Sequence, residues 1–324
     1  MTLSRLLRLF RRHSGCVLAS AIVLLGGFAS AHAADGAVRA EAVGDGVWFV
    51  QGQAAMGSPA NRNFISNAGF VVTGEGVVVI DALGSPVLAR ELIDEIARIT
   101  PQPIRYVVVT HYHADHIYGL QAFQAAGAKI IAHPAARDYL NADTAQRRLE
   151  ASRQELAPWI DERTRLVKPD QWLDGERLSL HLGGVDVHVH HLGPAHTAED
   201  LVVHIPQRGV LFAGDLVFRG RVPFVGQADS RHWIAALSRL ISFAPQLLLP
   251  GHGPLSRTAV DDLTLTRDYL LHLRQTMGQA ARELEPFEEA YARADWSRFQ
   301  ALPLFGVVNR MNAYNTYLLM EQEK

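Results

Sequence analysis

Short apolar runs alternate with amphipathic segments along the first half of the chain. Runs rich in β-branched residues and bounded by Gly, Pro or Asn predict strands at residues 47–51, 63–72, 76–80, 104–109 and 129–132. After the third of these, Ser85-Pro86 supplies an N-cap and a first-turn proline, and leucine and isoleucine then recur at helical spacing. A second helix is predicted over residues 117–126. This alternation indicates an α/β fold.

The second half of the chain begins with a polar, helix-favouring stretch at residues 134–156. Further strands are predicted at residues 178–182, 185–191, 201–205, 210–213 and 247–249, with an amphipathic helix at 230–243 before the last of them. From residue 260 onward the pattern is mostly helical. Because no repeat or linker divides the chain, we expect one catalytic domain, residues 34–255, with a C-terminal helical extension, residues 256–324, packed on it.

Residues 1–33 have the pattern of a secretory signal peptide. Four arginines and no acidic residue occupy the first 14 positions, residues 16–30 are apolar or small, and Ala31-His32-Ala33 offers small residues at a cleavage position. A membrane anchor is the alternative, but the apolar stretch is shorter than the roughly 20 residues that a spanning helix needs. We therefore expect export to the periplasm and no stable membrane association after cleavage.

Charge and cysteine content restrict the chemistry that is available. The chain has 31 basic and 33 acidic residues, and cleavage after residue 33 removes four arginines, so the mature protein is mildly acidic. It lacks the basic excess that binds nucleic acid without sequence preference. Its one cysteine, Cys16, lies in the predicted signal peptide. A metal site in the mature chain must therefore use histidine and carboxylate ligands.

Histidine and aspartate are concentrated directly after the predicted strand at residues 104–109. His111, His113, Asp115 and His116 lie within six residues there. If the segment is extended, His111 and His113 project to the same side, whereas Asp115 and His116 begin a helix and point in another direction. This geometry suits two adjacent metal positions, because imidazole nitrogen and carboxylate oxygen are ligands that zinc accepts. A solvated, histidine-rich turn is the alternative interpretation.

Three more candidate ligands follow apolar strands later in the chain. They occur in Gly193-Pro194-Ala195-His196-Thr197, in Gly214-Asp215 and in Pro250-Gly251-His252-Gly253. Any one of them alone would more often be a hydrogen-bonded loop residue than a ligand. Their shared position after strands, with nearby glycines that allow close backbone approach, predicts that they converge.

These motifs, in this order, resemble the metallo-β-lactamase superfamily over about residues 45–255. The resemblance implies an α/β, four-layer αβ/βα sandwich with a dinuclear metal site between the edges of its two sheets. It implies two Zn²⁺ ions, with iron or manganese as alternatives, and a supporting role for Asp81. Position by position, the first metal would be held by His111, His113 and His196, the second by Asp115, His116 and His252, and Asp215 would bridge them.

The ligand set is similar to that of glyoxalase II-like and lactonase-like hydrolases, because β-lactamases of the superfamily carry Cys or Ser where this chain has Asp215. The resemblance implies a hydrolase that uses a metal-bridging hydroxide on a small-molecule ester, lactone, thioester or amide. Asp115 and Asp215 would then also be catalytic, because they would orient the hydroxide. An iron-dependent oxidoreductase of sulfur compounds is one alternative.

A narrower likeness involves the signal peptide, residues 214–226 and residues 309–321. These segments look like those of periplasmic zinc metallohydrolases found with quinoprotein dehydrogenases and sulfur-oxidation systems. The likeness implies a functional link to a quinoprotein dehydrogenase, and it leaves the substrate open. A non-hydrolytic accessory of such a dehydrogenase system is the other alternative function.

Overall fold

The computed structural model describes residues 38–226 and 228–323, which belong to one compact unit. The predicted signal peptide, residues 1–33, lies outside the described residues. Among the residues that the structure describes, no helix combines the length and the apolar character required to cross a bilayer.

A seven-stranded sheet is formed by the first half of the chain. Its strands lie side by side in sequence order, antiparallel from β1 to β4 and parallel from β4 to β7. They are β1 Glu41–Gly44, β2 Val47–Val50, β3 Ala68–Val72, β4 Val77–Ile80, β5 Ile104–Val108, β6 Lys129–Ala132 and β7 Gln171–Trp172. The parallel part is connected through helices, as parallel strands require.

Five helices accompany this sheet: α1 Pro86–Ile99, α2 Ala114–Ile117, α3 Leu120–Ala125, α4 Ala136–Asn141 and α5 Asp143–Glu155. The predicted start of α1 is confirmed, because the Ser85 side chain accepts a hydrogen bond from the Leu88 N–H and Pro86 opens the first turn. The predicted single helix at residues 117–126 is wrong: it is divided at Gly119, where a Cβ would lie 1.9 Å from the Ala82 carbonyl oxygen.

A second sheet has five strands in the order β12-β11-β10-β9-β8, with β11 and β12 parallel and the other pairs antiparallel. Its strands are β8 Arg177–Leu182, β9 Val185–His191, β10 Leu201–Ile205, β11 Val210–Phe218 and β12 Leu247–His252. A 3₁₀ turn, Pro206–Arg208, connects β10 to β11. Helix α6, Ser230–Ser242, connects β11 to β12, and Asp229 caps its N-terminus.

Alternation along the strands divides the core into three apolar layers. Val78, Val108 and Phe212 face the space between the two sheets. Their neighbours Val79 and Val107 pack under α1 and α3, on the outer side of the first sheet. Because successive strand residues point to opposite faces, one run of buried residues supplies two layers. Helices cover both outer faces, so the predicted four-layer sandwich is confirmed.

Three helices follow the second sheet: α7 Ala259–Glu283, α8 Phe287–Arg293 and α9 Phe305–Gln322. Leu263 and Leu270 of α7 and Val308 of α9 belong to the same buried cluster as Trp233 of α6 and Leu248 of β12. The predicted C-terminal helices are therefore present and pack against the second sheet and α6.

Two strand predictions near the ligand loops are wrong. Residues 63–67 form a loop instead of the start of a strand, because Arg62 and Asn63 both adopt a φ of 59° and turn the chain. Strand β11 continues past residue 213 to Phe218, so Asp215 lies inside a strand rather than after one. A bulge at Gly214, where φ is 51°, changes the direction of the following side chain without ending the strand.

Candidate metal centre

The seven predicted site residues meet at one end of the two sheets. His111 and His113 follow β5, while Asp115 and His116 lie in α2. His196 lies between β9 and β10, Asp215 within β11, and His252 at the end of β12. Their ligand atoms form two groups, each with all atoms within 4.8 Å of one another: His111, His113, His196 and Asp215, and Asp115, His116 and His252. The structure thus brings together every residue of the predicted set.

The first group has the spacing of ligands around a small cation. His113 Nδ1 lies 3.1 Å from Nε2 of both His111 and His196. Asp215 Oδ2 lies 3.5 Å from His196 Nε2 and 3.7 Å from His111 Nε2. Tetrahedral ligands about 2.0 to 2.1 Å from zinc are roughly 3.3 Å apart, so these distances fit that ion.

The second group has similar spacing. His252 Nε2 lies 3.3 Å from Asp115 Oδ2, and His116 Nε2 lies 3.6 Å from the same oxygen. His116 Nε2 makes no hydrogen bond to any described residue although it is fully buried. A buried nitrogen without a partner is costly, and a cation between these three side chains would satisfy it.

Asp215 faces both groups. In addition to its contacts with the first group, its Oδ1 lies 3.3 Å from His116 Nε2 and its Oδ2 lies 3.3 Å from His252 Nε2. The backbone of β12 passes so close that a Cβ on Gly251 would lie 2.0 Å from Asp215 Oδ1. The glycine therefore gives this carboxylate the space to lie between the two groups, which is the place that the family resemblance implies for it.

Asp81 fixes the orientation of two of the imidazoles. Its Oδ2 accepts hydrogen bonds from His116 Nδ1 at 2.8 Å and from the Thr110 hydroxyl at 2.8 Å. Because that hydroxyl donates to Asp81, it accepts from His111 Nδ1 at 3.0 Å. Both imidazoles therefore carry their proton on Nδ1 and turn the Nε2 lone pair toward the metal positions. Asp81 does this from a left-handed backbone with a φ of 62°.

We expect Asp81→Asn to weaken metal binding by about 10- to 100-fold, because an isosteric amide removes the charge that orients His116. Asparagine tolerates the left-handed φ, so the backbone conformation is kept. Titration against a chromophoric chelator measures the affinity, and Asp94→Ala, on the exposed side of α1, is the matched control. Equal affinities in Asp81→Asn and the unmodified protein would contradict the role of Asp81.

The segment 65–67 also supports the ligands, and sequence analysis did not identify it. The Ile65 carbonyl accepts from His252 Nδ1 at 2.7 Å, and the Ser66 hydroxyl donates to the Asp115 carbonyl. The Asn67 amide donates to the carbonyls of Pro250 and Gly253, both at 2.8 Å, and so fixes the turn that carries His252. Nothing in the local sequence indicates these bonds, because they join positions 49 to 187 residues apart.

Electrostatics differ between the two groups. Burial lowers the pKa of His196 to about 3, with a further contribution from His113, and the pKa values of His111 and His113 are lowered too. These imidazoles are neutral at pH 7, as metal ligands must be. Burial also disfavours the charged form of His252, but Asp215 and Asp115 outweigh it and raise its pKa to about 9. A cation bound there would replace that proton.

Several aromatic side chains surround His196. The rings of Trp233, Phe218 and Phe224 lie 5.3, 5.6 and 6.4 Å from its ring, centroid to centroid. Tyr112, which the sequence places among the ligands, points away from them: it is buried and its hydroxyl donates to the Val167 carbonyl. It therefore does not serve as a proton donor at the site.

Comparison with known protein families identifies the same region. The family model described as Metallo-beta-lactamase superfamily matches residues 61–252, which include all seven site residues. Among curated proteins, a linear primary-alkylsulfatase from a Pseudomonas species is 25% identical over 254 residues, which are 66% of this chain and 47% of the relative. A metallo-beta-lactamase type 2 from Elizabethkingia meningoseptica is 25% identical over 194 residues, covering 58% of this chain and 69% of the relative. The chain spans about half the length of the alkylsulfatase.

Solved structures show the same fold. A metallo-beta-lactamase from Pontibacter korlensis superimposes with a TM-score of 0.57 at 24% identity, over 72% of this chain and 99% of that one. The inverting sec-alkylsulfatase Pisa1 from a Pseudomonas species superimposes with a TM-score of 0.68 at 18% identity, over 87% of this chain and 50% of that one. The fold expected from the sequence motifs is therefore confirmed.

Proposed function

The chain belongs to the metallo-beta-lactamase superfamily, and from this premise we propose that it is a dinuclear zinc hydrolase of an ester, lactone, thioester or amide. One observation carries the proposal: two groups of histidine and aspartate ligands face each other across Asp215, with donor atoms 3.1 to 3.7 Å apart. The glyoxalase II-like ligand set, with aspartate at position 215, is consistent with carbonyl chemistry.

Two zinc ions in these groups would polarise the carbonyl oxygen of the substrate and activate a water molecule for attack. The protein's part is to hold the reacting groups in place. Asp115 is the more exposed of the two carboxylates, with a side chain 14% exposed against 4% for Asp215, so it faces the substrate side. Burial disfavours ionisation of Asp115, but the nearby His116 and a hydrogen bond from His252 hold its pKa below its usual range. As a carboxylate it accepts a hydrogen bond from the attacking water and orients it.

Hydrolysis of an alkyl sulfate is a second candidate, favoured by the extent of the likeness. The alkylsulfatase structure matches 87% of this chain, whereas the β-lactamase structure matches 72%. The match to the alkylsulfatase therefore extends over more of this chain, which is consistent with shared helices outside residues 61–252, the region of the family model.

A hydrolysis screen with matched metal analysis tests the proposal. We expect purified protein to release product from a lactone, a thioester or an aryl ester, to lose that activity with a chelator and to regain it with zinc. Iron in the protein together with oxygen consumption on sulfur compounds would favour an oxidoreductase instead. Stoichiometric binding without turnover across the screen, with pyrroloquinoline quinone included, would favour an accessory protein.

We also propose that the protein acts in the periplasm and serves a quinoprotein dehydrogenase system. The support is the basic and then apolar pattern of residues 1–33, together with the likeness of residues 214–226 and 309–321 to such metallohydrolases. Fractionation of cells that produce the full chain tests the location, with activity in the periplasmic fraction as the expected result.

A further inference from the structure

Arg221 is a buried arginine in the loop that follows β11. The residue is only 6% exposed, and neither Nε nor Nη1 of its guanidinium makes a hydrogen bond within the described part of the chain. The salt bridges among the described residues do not include Arg221, although its neighbour Arg219 pairs with Asp262. A buried charge without a partner destabilises the folded state by an amount on the order of several kcal/mol. An unpaired arginine at this position therefore indicates a role other than stability.

Other arginines in comparable surroundings have partners. Arg219, two positions earlier in the same loop, donates to Asp262 at 2.8 Å and to the Leu255 carbonyl at 2.8 Å. Arg62 pairs with Glu91, and Arg274 pairs with Glu323. The unpaired state of Arg221 is therefore specific to its position rather than typical of arginines in this fold.

The guanidinium of Arg221 lies next to the metal centre. Its Cζ is 5.6 Å from the centre of the Phe218 ring. That ring stacks on the His252 imidazole at 5.0 Å and contacts the His196 imidazole at 5.6 Å. Burial lowers the pKa of Arg221, while the charges of Asp215 and Asp115 act in the opposite direction, so both carboxylates are close enough to influence it.

The C-terminal helices hold the Arg221 loop in place. The Val222 N–H donates to the Pro303 carbonyl at 3.1 Å. Asn312 of α9 accepts from the Val225 N–H at 3.0 Å and donates to the Pro223 carbonyl at 2.7 Å. Asn312 also donates to the Tyr269 hydroxyl of α7 at 2.9 Å. Bonds on both sides of Pro223 therefore fix the backbone of the loop that carries Arg221 before any ligand arrives.

We propose that Arg221 binds an oxyanion group, a carboxylate or a sulfate, on the substrate whose scissile bond lies at the metal centre. The guanidinium presents a planar set of donors that matches two oxygens of such a group. The aromatic rings of Phe218, beside the guanidinium, and of Phe224, near His196, suit an apolar substrate body. This inference rests on the proposed hydrolase function, and it narrows the substrate to anionic esters.

The test compares Arg221→Met and Arg221→Lys on a matched pair of substrates, 4-acetoxybenzoate and its neutral methyl ester. We expect Arg221→Met to raise the KM for the anionic ester by about 10- to 100-fold, the effect of losing hydrogen bonds to a charged group. For the neutral ester we expect less than a twofold change. Arg221→Lys is expected to keep part of the preference for the anionic ester, because lysine keeps the positive charge. Arg219→Met, in the same loop, is the matched control and keeps the selectivity of the unmodified protein.

Calorimetric titration with sodium benzoate and with sodium sulfate measures binding without turnover. We expect Arg221→Met to bind at least one of these anions about tenfold more weakly than the unmodified protein, and the anion that is affected identifies carboxylate or sulfate as the ligand. An equal increase in KM for both esters, together with unchanged anion binding, would overturn the proposal and assign Arg221 a purely structural role. If Arg221→Met does not fold, Arg221→Gln, which removes the charge and keeps a polar side chain, is decisive, and unchanged selectivity in it would overturn the proposal.

The two proposals fail in different ways. If the unmodified protein cleaves no ester but its anion binding depends on Arg221, the hydrolase function fails and the anion site stands. If it cleaves both esters with the same KM in every variant, the hydrolase function stands and the anion site fails.

Discussion

Asp215→Ala is expected to lower kcat/KM by at least about 1,000-fold, or about 4 kcal/mol of transition-state stabilisation, and to remove at least one metal ion. The reason is geometric. Asp215 is the one side chain of the seven whose two oxygens lie within 3.3 to 3.7 Å of histidine nitrogens in both groups. Its loss leaves each group with fewer donors and removes the carboxylate that would compensate the charge of two bound cations. Steady-state kinetics and metal analysis of the same sample measure the effect.

Two further variants make the Asp215 result specific. Asp215→Asn keeps the shape of the side chain and removes its charge, so it separates electrostatics from packing. Asp45→Ala changes an aspartate whose side chain is 93% exposed and is expected to behave like the unmodified protein. Retention of both metal ions and of a tenth or more of the activity in Asp215→Ala would show that Asp215 does not connect the two groups.

Removal of metal should also destabilise the whole fold. The ligand loops follow β5 and β9 and include the ends of α2 and β12, so ions bound between them would hold the two sheets together. An ion present at 1,000 times its dissociation constant stabilises the folded state by about 4 kcal/mol. At about 2 to 4 °C per kcal/mol, loss of two such ions lowers the melting temperature by roughly 10 °C or more. Scanning calorimetry before and after chelation measures the shift.

Reversal with zinc distinguishes this effect from damage by the chelator. We expect zinc to restore the melting temperature of the unmodified protein and to restore that of Asp215→Ala only in part. A melting temperature that does not change on chelation, in a sample shown to have contained metal, would contradict the proposal that the ions link the two sheets.

The fold was predictable from the sequence wherever a local pattern of residues is compatible with only one kind of secondary structure. Val77 to Ile80 alternate between two apolar layers, and such a continuous apolar run predicts a strand buried on both faces. The ligand residues were predictable for a similar reason, because three histidines and an aspartate within six residues have few structural explanations. Asp81 was predictable from its position at the end of β4 together with the family likeness.

Other features depend on contacts between distant parts of the chain. The run at residues 63–67 contains residues typical of strands, yet Asn67 bonds to the turn that follows residue 250, and the segment becomes a loop. The unpaired state of Arg221 is a property of the space around it, since Arg219 in the same loop has two partners. No local pattern distinguishes these two arginines.

Asn309 and Asn312 connect the C-terminal helices to one another. Both lie in residues 309–321, the segment that looks like those of periplasmic metallohydrolases. In the structure both are completely buried, and Asn309 accepts from the Tyr269 hydroxyl that Asn312 also contacts. They join α9 to α7 and to the loop that carries Arg221, so the C-terminal helices help to shape the candidate site.

Metal content of the purified protein, measured by inductively coupled plasma mass spectrometry after purification without chelators and after dialysis against zinc, tests the central claim most directly. The account predicts two zinc ions per chain in the unmodified protein and fewer in Asp215→Ala. A correctly folded protein that holds no stoichiometric metal under either condition would contradict it.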